Sequence, residues 1–283
     1  MNSLNDKTVL VTGGARGIGK ALARACLDEG ARVVITNLEV VAAEATVAEL
    51  SSLGAIRAVR CDATDRADVD RLFDDIWASE GPVDVAFCNV GAGGMAKILD
   101  TPIDEVHAQF ATNFDSAVHL VQSYVPRLID AGHPGHVMFT GSEHSLVLSS
   151  GAAALAMGIY GCTKHALLIF AEWLRDELKD TPVTVSMLMP GPVLTERIAD
   201  TFTALDRDPD DPALRAVFSP AAEQTLRDRF ISPDKCAEIA LRGLHQGLFF
   251  IPTQAHIKDD LDARHRELSE AFAALGIVPG TTP

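Results

Sequence analysis

Short runs of apolar residues alternate along the chain with longer stretches in which apolar positions recur every three or four residues. The short runs predict buried strands, and the longer stretches predict amphipathic helices. The predicted strands cover 8–12, 32–36, 56–61, 83–87, 135–140, 183–188 and 248–251. The predicted helices cover 18–29, 39–53, 66–79, 103–130, 159–178, 232–247 and 257–275.

The predicted strands are mostly continuous apolar runs, which is the pattern of strands that are buried on both faces of a parallel sheet. Their alternation with helices predicts a doubly wound (Rossmann-like), mostly parallel α/β sheet in a single domain over 1–283. The segment 195–231 breaks this rhythm and contains the Pro- and Asp-rich stretch 206–212. We expect it to form loops or short helices that act as a lid over a bound ligand.

The amino-acid composition argues against several classes of binding partner. The 283 residues include 24 Lys and Arg against 39 Asp and Glu, so the net charge is −15. Because no basic run is present, we expect no nucleic-acid partner and no anionic membrane surface as a partner. No group of His, Cys and Asp residues has the spacing of metal ligands, so we expect no metal.

The five cysteines and the N-terminus indicate the cellular compartment of the protein. An odd number of cysteines without a C-x-x-C pair is a poor disulfide framework and suits a reducing compartment. The first residues lack the plan of a signal peptide, and no apolar run approaches the roughly 20 residues that a membrane span needs. We therefore expect a cytoplasmic protein.

A glycine-rich segment follows the first predicted strand and opens the first predicted helix. It runs from Thr12 to Gly19, with glycines at 13, 17 and 19. A backbone without Cβ atoms lets a pyrophosphate approach closely, and the N–H groups at a helix N-terminus attract its charge. The alternative is an ordinary glycine-rich turn between a strand and a helix.

Polar or turn-forming residues follow the later strands as well. In an open α/β sheet, ligands bind at the carboxyl ends of the strands, so these residues are expected to converge on one site. Each of them alone is also a common turn residue, and only the set is specific. The set comprises Asn37, Asp62 with Ala63, Asn89 with Gly91, Ser142, and Pro190 with Gly191.

Tyr160 and Lys164 are four residues apart near the start of a predicted helix, so they share one face. A phenol has a pKa near ~10. An ammonium ~4 Å away contributes ~4 kcal/mol at an effective dielectric constant of ~20, so we expect Lys164 to lower the pKa of Tyr160. The pair alone also fits a buried Tyr beside a solvated Lys. The nearby Ser142 favours an acid/base role for Tyr160.

Together these motifs resemble the short-chain dehydrogenase/reductase family, over roughly 5–195 and 232–252. The resemblance implies a nicotinamide cofactor, hydride transfer to or from a secondary alcohol/ketone pair, and a homo-oligomer (dimer or tetramer). The residues that carry it are Thr12-Gly-x-x-x-Gly-x-Gly19, Asn89-x-Gly91, Asn113, Ser142, Tyr160-x-x-x-Lys164 and Pro190-Gly191.

The resemblance also implies roles for individual residues. Tyr160 would exchange the proton with the substrate oxygen, and Ser142 would orient that oxygen. Lys164 would act on the phenol and on the nicotinamide ribose, and Asn113 would hold a water in a proton relay. The implied cofactor-binding residues are Gly13, Arg16, Gly17, Ile18, Gly19, Asn37, Asp62, Ala63, Asn89, Gly91, Tyr160, Lys164, Pro190, Gly191, Val193 and Thr195.

The sequence departs from the family pattern at the residue that reads the adenosine ribose. Asn37 stands where NAD-preferring members carry Asp, and it cannot repel a 2′-phosphate by charge. Arg16 could reach such a phosphate, which favours NADP over NAD. Leu38 stands where many NADP-using members carry Arg, and Glu39 adds negative charge, so both count against NADP.

Two further departures concern the substrate side. Val90 is bulkier than the usual residue of its motif, and the segment from Ser142 to Tyr160 is about five residues longer than usual in the family. Its extra stretch, 149–157, is expected beside the substrate. His144 is expected either to line the same pocket or to be an incidental loop residue. The apolar neighbourhood predicts a bulky apolar or aromatic substrate. The alternative is a catalytically silent, dinucleotide-binding redox sensor, against which the complete catalytic set argues.

Overall fold

The computed structural model describes residues 3–149, 155–215 and 218–277, and the strands found there form one sheet. Every pair of neighbouring strands is parallel, in the order β3-β2-β1-β4-β5-β6-β7. The predicted doubly wound α/β fold is confirmed. The strands are β1 (Thr8–Thr12), β2 (Arg32–Asn37), β3 (Ile56–Arg60), β4 (Val85–Cys88), β5 (Gly135–Thr140), β6 (Val183–Met189) and β7 (Phe250–Pro252).

Helices cover both faces of this sheet. Those whose positions were predicted match to within a few residues at each end. The helices of the described residues are α1 (Gly17–Asp28), α2 (Val40–Leu50), α3 (Arg66–Ser79), α4 (Ile103–Phe110), α5 (Ser116–Ala131), α6 (Gly158–Glu177), α7 (Glu196–Arg207), α8 (Pro212–Arg215), α9 (Pro220–Arg229), α10 (Pro233–His245) and α11 (Lys258–Ala274).

The core consists of two apolar layers, one on each face of the sheet. The layer beneath α3, α5 and α6 contains Phe73, Tyr124 and Phe139, each fully buried. The layer beneath α1 and α10 contains Leu22 and Ile35, also fully buried. Because the central strands are buried on both faces, they need the continuous apolar runs seen in the sequence. Burial of this kind supplies the main driving force for folding.

The stretch predicted as one helix over 103–130 is two helices joined by a π-helical turn over Ala111–Asp115. Single π-turns inside α-helices occur frequently at functional sites, because they alter the direction of side chains over one turn. This one holds Asn113, which is 1% exposed. Helix periodicity alone does not predict such a turn.

The segment after β6 is more regular than the sequence suggested. It contains α7, α8 and α9, and it forms a small apolar cluster of its own. Phe202 and Leu205 of α7 pack in this cluster with Phe218, Ala222 and Leu155. The segment was expected to form loops or short helices, and helices are present, of which α7 buries one apolar face. The polar residues between its few apolar positions, and the Pro- and Asp-rich stretch at its end, obscured that face.

The predicted terminal helix is present as α11, and none of its residues is buried. Within the described residues, no helix is long and apolar enough to cross a membrane. In the same residues, no group of three His, Cys, Asp or Glu side chains is placed to hold a metal ion.

We predict that Tyr124→Phe destabilises the fold without changing its architecture. The Tyr124 hydroxyl is buried and donates to the carbonyl of Val83 at 2.8 Å, while its ring stacks on Phe73 with centroids 5.2 Å apart. Removing the hydroxyl leaves a buried acceptor unpaired, so the free energy of unfolding should fall by about 1–2 kcal/mol. Urea denaturation measures this change, and a loss below about 0.3 kcal/mol would contradict it.

Candidate active site

A chain of hydrogen bonds fixes the carboxyl ends of β1, β4 and β5. The backbone N–H of Asn89 donates to Thr12 Oγ1 at 2.9 Å, and Asn89 Nδ2 donates to the Thr12 carbonyl at 3.2 Å. Thr140 Oγ1 donates in turn to Asn89 Oδ1 at 3.0 Å. Asn89 therefore ties together three strands at the edge where the predicted site lies.

The glycine-rich segment forms a tight turn at the same edge. Gly13 and Gly17 have φ of +64° and +57°, which is the left-handed region that glycine tolerates. A Cβ on Gly19 would lie 2.2 Å from the carbonyl oxygen of Gly13, so this position also needs glycine. Ile18 lies between Gly17 and Gly19 in the first turn of α1. Because Gly17 begins α1, the turn places a helix N-terminus, which attracts anions, at this edge of the sheet.

A carboxylate of the chain lies on that helix N-terminus. Glu196, the first residue of α7, accepts a hydrogen bond from the Gly17 N–H at 2.9 Å. The methyl group of Thr195 would lie 3.1 Å from a Cβ on Gly17. The start of α7 thus lies over the glycine-rich turn. Thr195 was predicted as a cofactor-binding residue beside the nicotinamide carboxamide, and the adjacent Glu196 was not predicted.

Some polar atoms of the side chains after β2 and β3 already have hydrogen-bond or ion-pair partners within the chain. Asn37 Oδ1 accepts from the Leu38 N–H at 3.0 Å, but its Nδ2 is buried and has no partner among the described residues. Arg16 forms an ion pair with Glu39 at 2.7 Å, and both side chains are mainly exposed.

Asp62 and Ala63 lie on the loop after β3. Asp62 Oδ1 accepts from the N–H and the hydroxyl of Thr64, at 2.9 and 2.7 Å. The carbonyl of Ala63 lies 3.2 Å from His119 Nδ1, which fixes this loop against α5. One oxygen of Asp62 therefore shapes the turn on which the carboxylate stands.

Ser142, Tyr160 and Lys164 come together where β5 ends and α6 begins. Ser142 lies close enough to the Tyr160 hydroxyl to lower its pKa, and Ser142 Oγ accepts from the His144 N–H at 3.2 Å. The buried Lys164 donates to the Thr140 carbonyl at 2.9 Å, and its Nζ lies 5.6 Å from the centroid of the Tyr160 ring. The predicted catalytic group is thus assembled in space.

The expectation that Lys164 lowers the pKa of Tyr160 was wrong for this structure. Burial raises the pKa of the Tyr160 phenol to about 12, although the hydrogen bond with Ser142 lowers it, and the charge of Glu143 raises it further. Burial also lowers the pKa of Lys164 to about 8. The ammonium is bound to a carbonyl beside the ring, so its attraction does not overcome the desolvation of the phenolate.

Asn113 uses its side chain to hold the loop after β4. Its Oδ1 accepts from the Ala92 N–H, and its Nδ2 donates to the Ala92 carbonyl, both at 2.8 Å. Nδ2 also donates to Thr163 Oγ1 on α6 at 3.0 Å. A Cβ on Gly91 would lie 3.2 Å from Asn113 Oδ1 and 3.3 Å from Lys164 Nζ. Gly91 therefore lies directly against two members of the predicted catalytic set.

The turn after β6, which begins with Pro190, is held by the residues that follow β7. The Gly191 N–H donates to Gln254 Oε1 at 2.9 Å, and Gln254 Nε2 donates to the Pro192 carbonyl at 2.8 Å. Further along, Val193 pairs with Ile231 in an isolated bridge. The sequence analysis missed Gln254, although the signal was present, since it follows a strand as the other site residues do.

Two buried residues beside Ser142 complete the surroundings of the site. Glu143, which the sequence analysis missed, is 6% exposed, and its Oε2 lies 2.7 Å from His256 Nε2. The ring of His144, 8% exposed, lies edge-on to the Tyr160 ring at 6.2 Å between centroids. His144 thus lies at the site rather than in an incidental loop. Of the longer segment predicted beside the substrate, 150–154 lie outside the described residues.

Comparison with known proteins agrees with this geometry. A model of the short chain dehydrogenase family matches residues 7–206. A 1-deoxy-11-beta-hydroxypentalenate dehydrogenase from Streptomyces avermitilis is 35% identical over 255 residues, which is 89% of this chain and 86% of that protein.

Two solved structures resemble the whole fold. A short-chain dehydrogenase/reductase from Burkholderia phymatum, in complex with NAD, is 25% identical with a TM-score of 0.81, over 100% of this chain and 99% of that one. A 7α-hydroxysteroid dehydrogenase, complexed with NADH and 7-oxo glycochenodeoxycholic acid, is 25% identical with a TM-score of 0.73, over 88% and 93%. The chain therefore belongs to the short-chain dehydrogenase/reductase family of oxidoreductases.

Proposed function

We propose that this protein transfers a hydride between a nicotinamide dinucleotide and a secondary alcohol/ketone pair, with Tyr160 exchanging the proton. The observation that carries the proposal is the convergence of Ser142, Tyr160 and the buried Lys164 where β5 ends and α6 begins. The similarity to named dehydrogenases supports catalysis rather than the alternative of a silent redox sensor.

The residues present fit such a cofactor. The absence of Cβ atoms at Gly13, Gly17 and Gly19 would let a pyrophosphate approach the backbone at the N-terminus of α1. The unpartnered Nδ2 of Asn37 is a donor that a ribose oxygen or phosphate would satisfy. We propose that Asp62, Ala63, Asn89 and Gly91 line the cofactor between these ends, and that the turn from Pro190 to Thr195 holds its carboxamide.

Each residue has a distinct part in the proposed reaction. The bound nicotinamide supplies the hydride in reduction and accepts it in oxidation. Ser142 donates to the substrate oxygen and fixes its position beside Tyr160. Tyr160, a phenol that is protonated near pH 7, donates the proton as the alkoxide develops. Lys164, buried beside the Tyr160 ring, is within the site to bind the ribose hydroxyls.

We propose a bulky alicyclic secondary alcohol or its ketone as the substrate. The loop after β4 presents apolar side chains that are largely exposed beside the site, with Leu99 97% and Ile98 61% exposed. Met157 and Tyr160 both lie against this loop, since a Cβ on Gly93 would be 3.2 Å from Met157 Cε and 3.5 Å from Tyr160 Cδ2. The polycyclic ligand of the similar hydroxysteroid dehydrogenase supports the same class. We further propose a homo-oligomeric state for this chain, by its family.

Tyr160→Phe should lower kcat by at least about 1,000-fold while changing dinucleotide affinity less than about threefold, because only the proton donor is removed and the ring is kept. The measurement is turnover on a panel of alicyclic secondary alcohols and ketones, with binding followed by dinucleotide fluorescence. Tyr124→Phe is the matched control, since it removes the chain's other phenol far from the site and should keep its activity. Retention of most of kcat in Tyr160→Phe would disprove the role.

The preference for NADP over NAD remains a prediction, with Arg16 as the proposed phosphate-binding residue. Its exposed ion pair with Glu39 is worth little, about 0–1 kcal/mol, so a phosphate can displace it. Asn37→Asp should shift the ratio of kcat/KM toward NAD by about tenfold or more. Glu39→Gln should shift it toward NADP, because it frees Arg16. If neither variant changes the ratio, the electrostatic argument is wrong.

We propose that 195–231 is a lid that Glu196 holds over the proposed phosphate position. Glu196→Gln should raise dinucleotide affinity about two- to fivefold, because a carboxylate no longer competes for the α1 N-terminus. Equilibrium titration measures the affinity, and Asp200→Asn, exposed on the same helix, is the control. Hydrogen exchange in 196–207 should slow when dinucleotide and substrate bind together. Unchanged affinity and equal protection in both states would exclude a lid.

A further inference from the structure

Glu143 is a buried carboxylate next to Ser142 that the proposed reaction does not use. Its Oε1 accepts from Ser149 Oγ at 2.8 Å, and its Oε2 lies 2.7 Å from His256 Nε2. A carboxylate this deeply buried is costly unless hydrogen bonds satisfy it, so two partners at these distances indicate a built arrangement.

The position of Glu143 links the ends of three strands. Its backbone N–H donates to the Pro190 carbonyl at 2.8 Å, which joins the turn after β5 to the turn after β6. Its Oε2 would lie 2.7 Å from a Cβ on Gly191, so the carboxylate packs directly on that turn. His256 follows β7 and completes the link. Glu143 is thus held by contacts from three separate segments around Ser142.

The charge of Glu143 also acts on the proton-exchanging residue. The carboxylate raises the pKa of Tyr160, because a negative charge nearby disfavours the phenolate. The titratable groups that face Glu143 are His144 on its own turn, His256 after β7, and Tyr160 on α6. Among them, Tyr160 is the group whose two protonation states the proposed reaction requires.

We propose that Glu143 is a positioning residue, held by His256, that orients Ser142 and sets the charge beside Tyr160. This inference rests on the proposed oxidoreductase function. It adds a residue that touches neither substrate nor cofactor and acts on Ser142 and Tyr160 through their surroundings. The negative charge of Glu143 would disfavour the phenolate, so the proton would stay on Tyr160 until the substrate oxygen takes it.

The effect of the Glu143 charge on Tyr160 can be tested without measuring turnover. It has two tyrosines, Tyr124 and Tyr160, so in a Tyr124→Phe background the phenolate absorbance reports Tyr160 alone. Glu143→Gln keeps the size of the side chain and one acceptor oxygen but removes its charge. The ionisation midpoint of Tyr160, read by stopped-flow pH jump, should fall by about one pH unit. Glu270→Gln, on the exposed α11, is the matched control and should leave the midpoint unchanged.

A second measurement tests the positioning. His256→Ala removes the partner of Glu143 and should lower kcat about tenfold or more with little change in substrate KM, because Ser142 loses its fixed orientation. His256→Gln retains an N–H donor and should restore most of kcat. Urea denaturation of both variants identifies any loss that is due only to unfolding.

The outcomes separate this inference from the proposed function. An unchanged Tyr160 midpoint in a folded Glu143→Gln variant would overturn the role of Glu143, whatever the enzyme does. Full kcat in His256→Ala would overturn the role of His256 as its support. If the wild type turns over no alcohol or ketone, the proposed function fails, while the absorbance measurement still decides the effect of Glu143 on Tyr160.

Discussion

The site depends on one hydrogen-bonded chain that runs across the strand ends. It passes from Thr12 through Asn89 to Thr140, and Lys164 then donates to the carbonyl of Thr140. Each group is buried or partly buried, so breaking one link would leave polar atoms without partners at a cost of about 1–3 kcal/mol. This cost holds β1, β4 and β5 in register at their ends. The glycine-rich turn and the catalytic helix α6 are positioned by the same chain.

A buried site of this kind sets the acid/base chemistry by desolvation as well as by charge. Tyr160 and Lys164 are shifted in opposite directions, the phenol upward and the ammonium downward, and burial is the main cause of both shifts. Both shifts favour the uncharged form of each group. The positive charge that an oxidised nicotinamide brings would oppose the shift of Tyr160, since it stabilises the phenolate. Proton exchange by Tyr160 would therefore be coupled to the occupancy and redox state of the cofactor.

Sequence patterns predicted the fold well because periodicity and burial are directly related in a parallel sheet. The bounds of β1, β5 and α3 agree with the structure residue for residue. The candidate residues from Gly13 to Lys164 also converge, since strand ends meet at one edge. The π-turn around Asn113 and the pKa of Tyr160 were not predictable in this way, because they depend on packing between distant segments. The contacts of Glu143 with His256 join residues 113 positions apart, and no local pattern encodes them.

The structure places its own carboxylates near both phosphate positions of the proposed cofactor. Glu196 accepts from the N-terminus of α1, where a pyrophosphate would bind, and Glu39 pairs with Arg16, where a 2′-phosphate would bind. A helix N-terminus and a guanidinium both attract anions, and in each case a nearby acidic side chain satisfies that attraction. Cofactor binding therefore becomes an exchange of one anion for another rather than the neutralisation of free positive charge. Such an exchange lowers the net binding free energy that each phosphate contributes. The affinity for the cofactor must therefore come largely from groups that have no partner within the chain. The unpartnered Nδ2 of Asn37 is one donor of that kind, and it can bind a ribose oxygen or a phosphate alike.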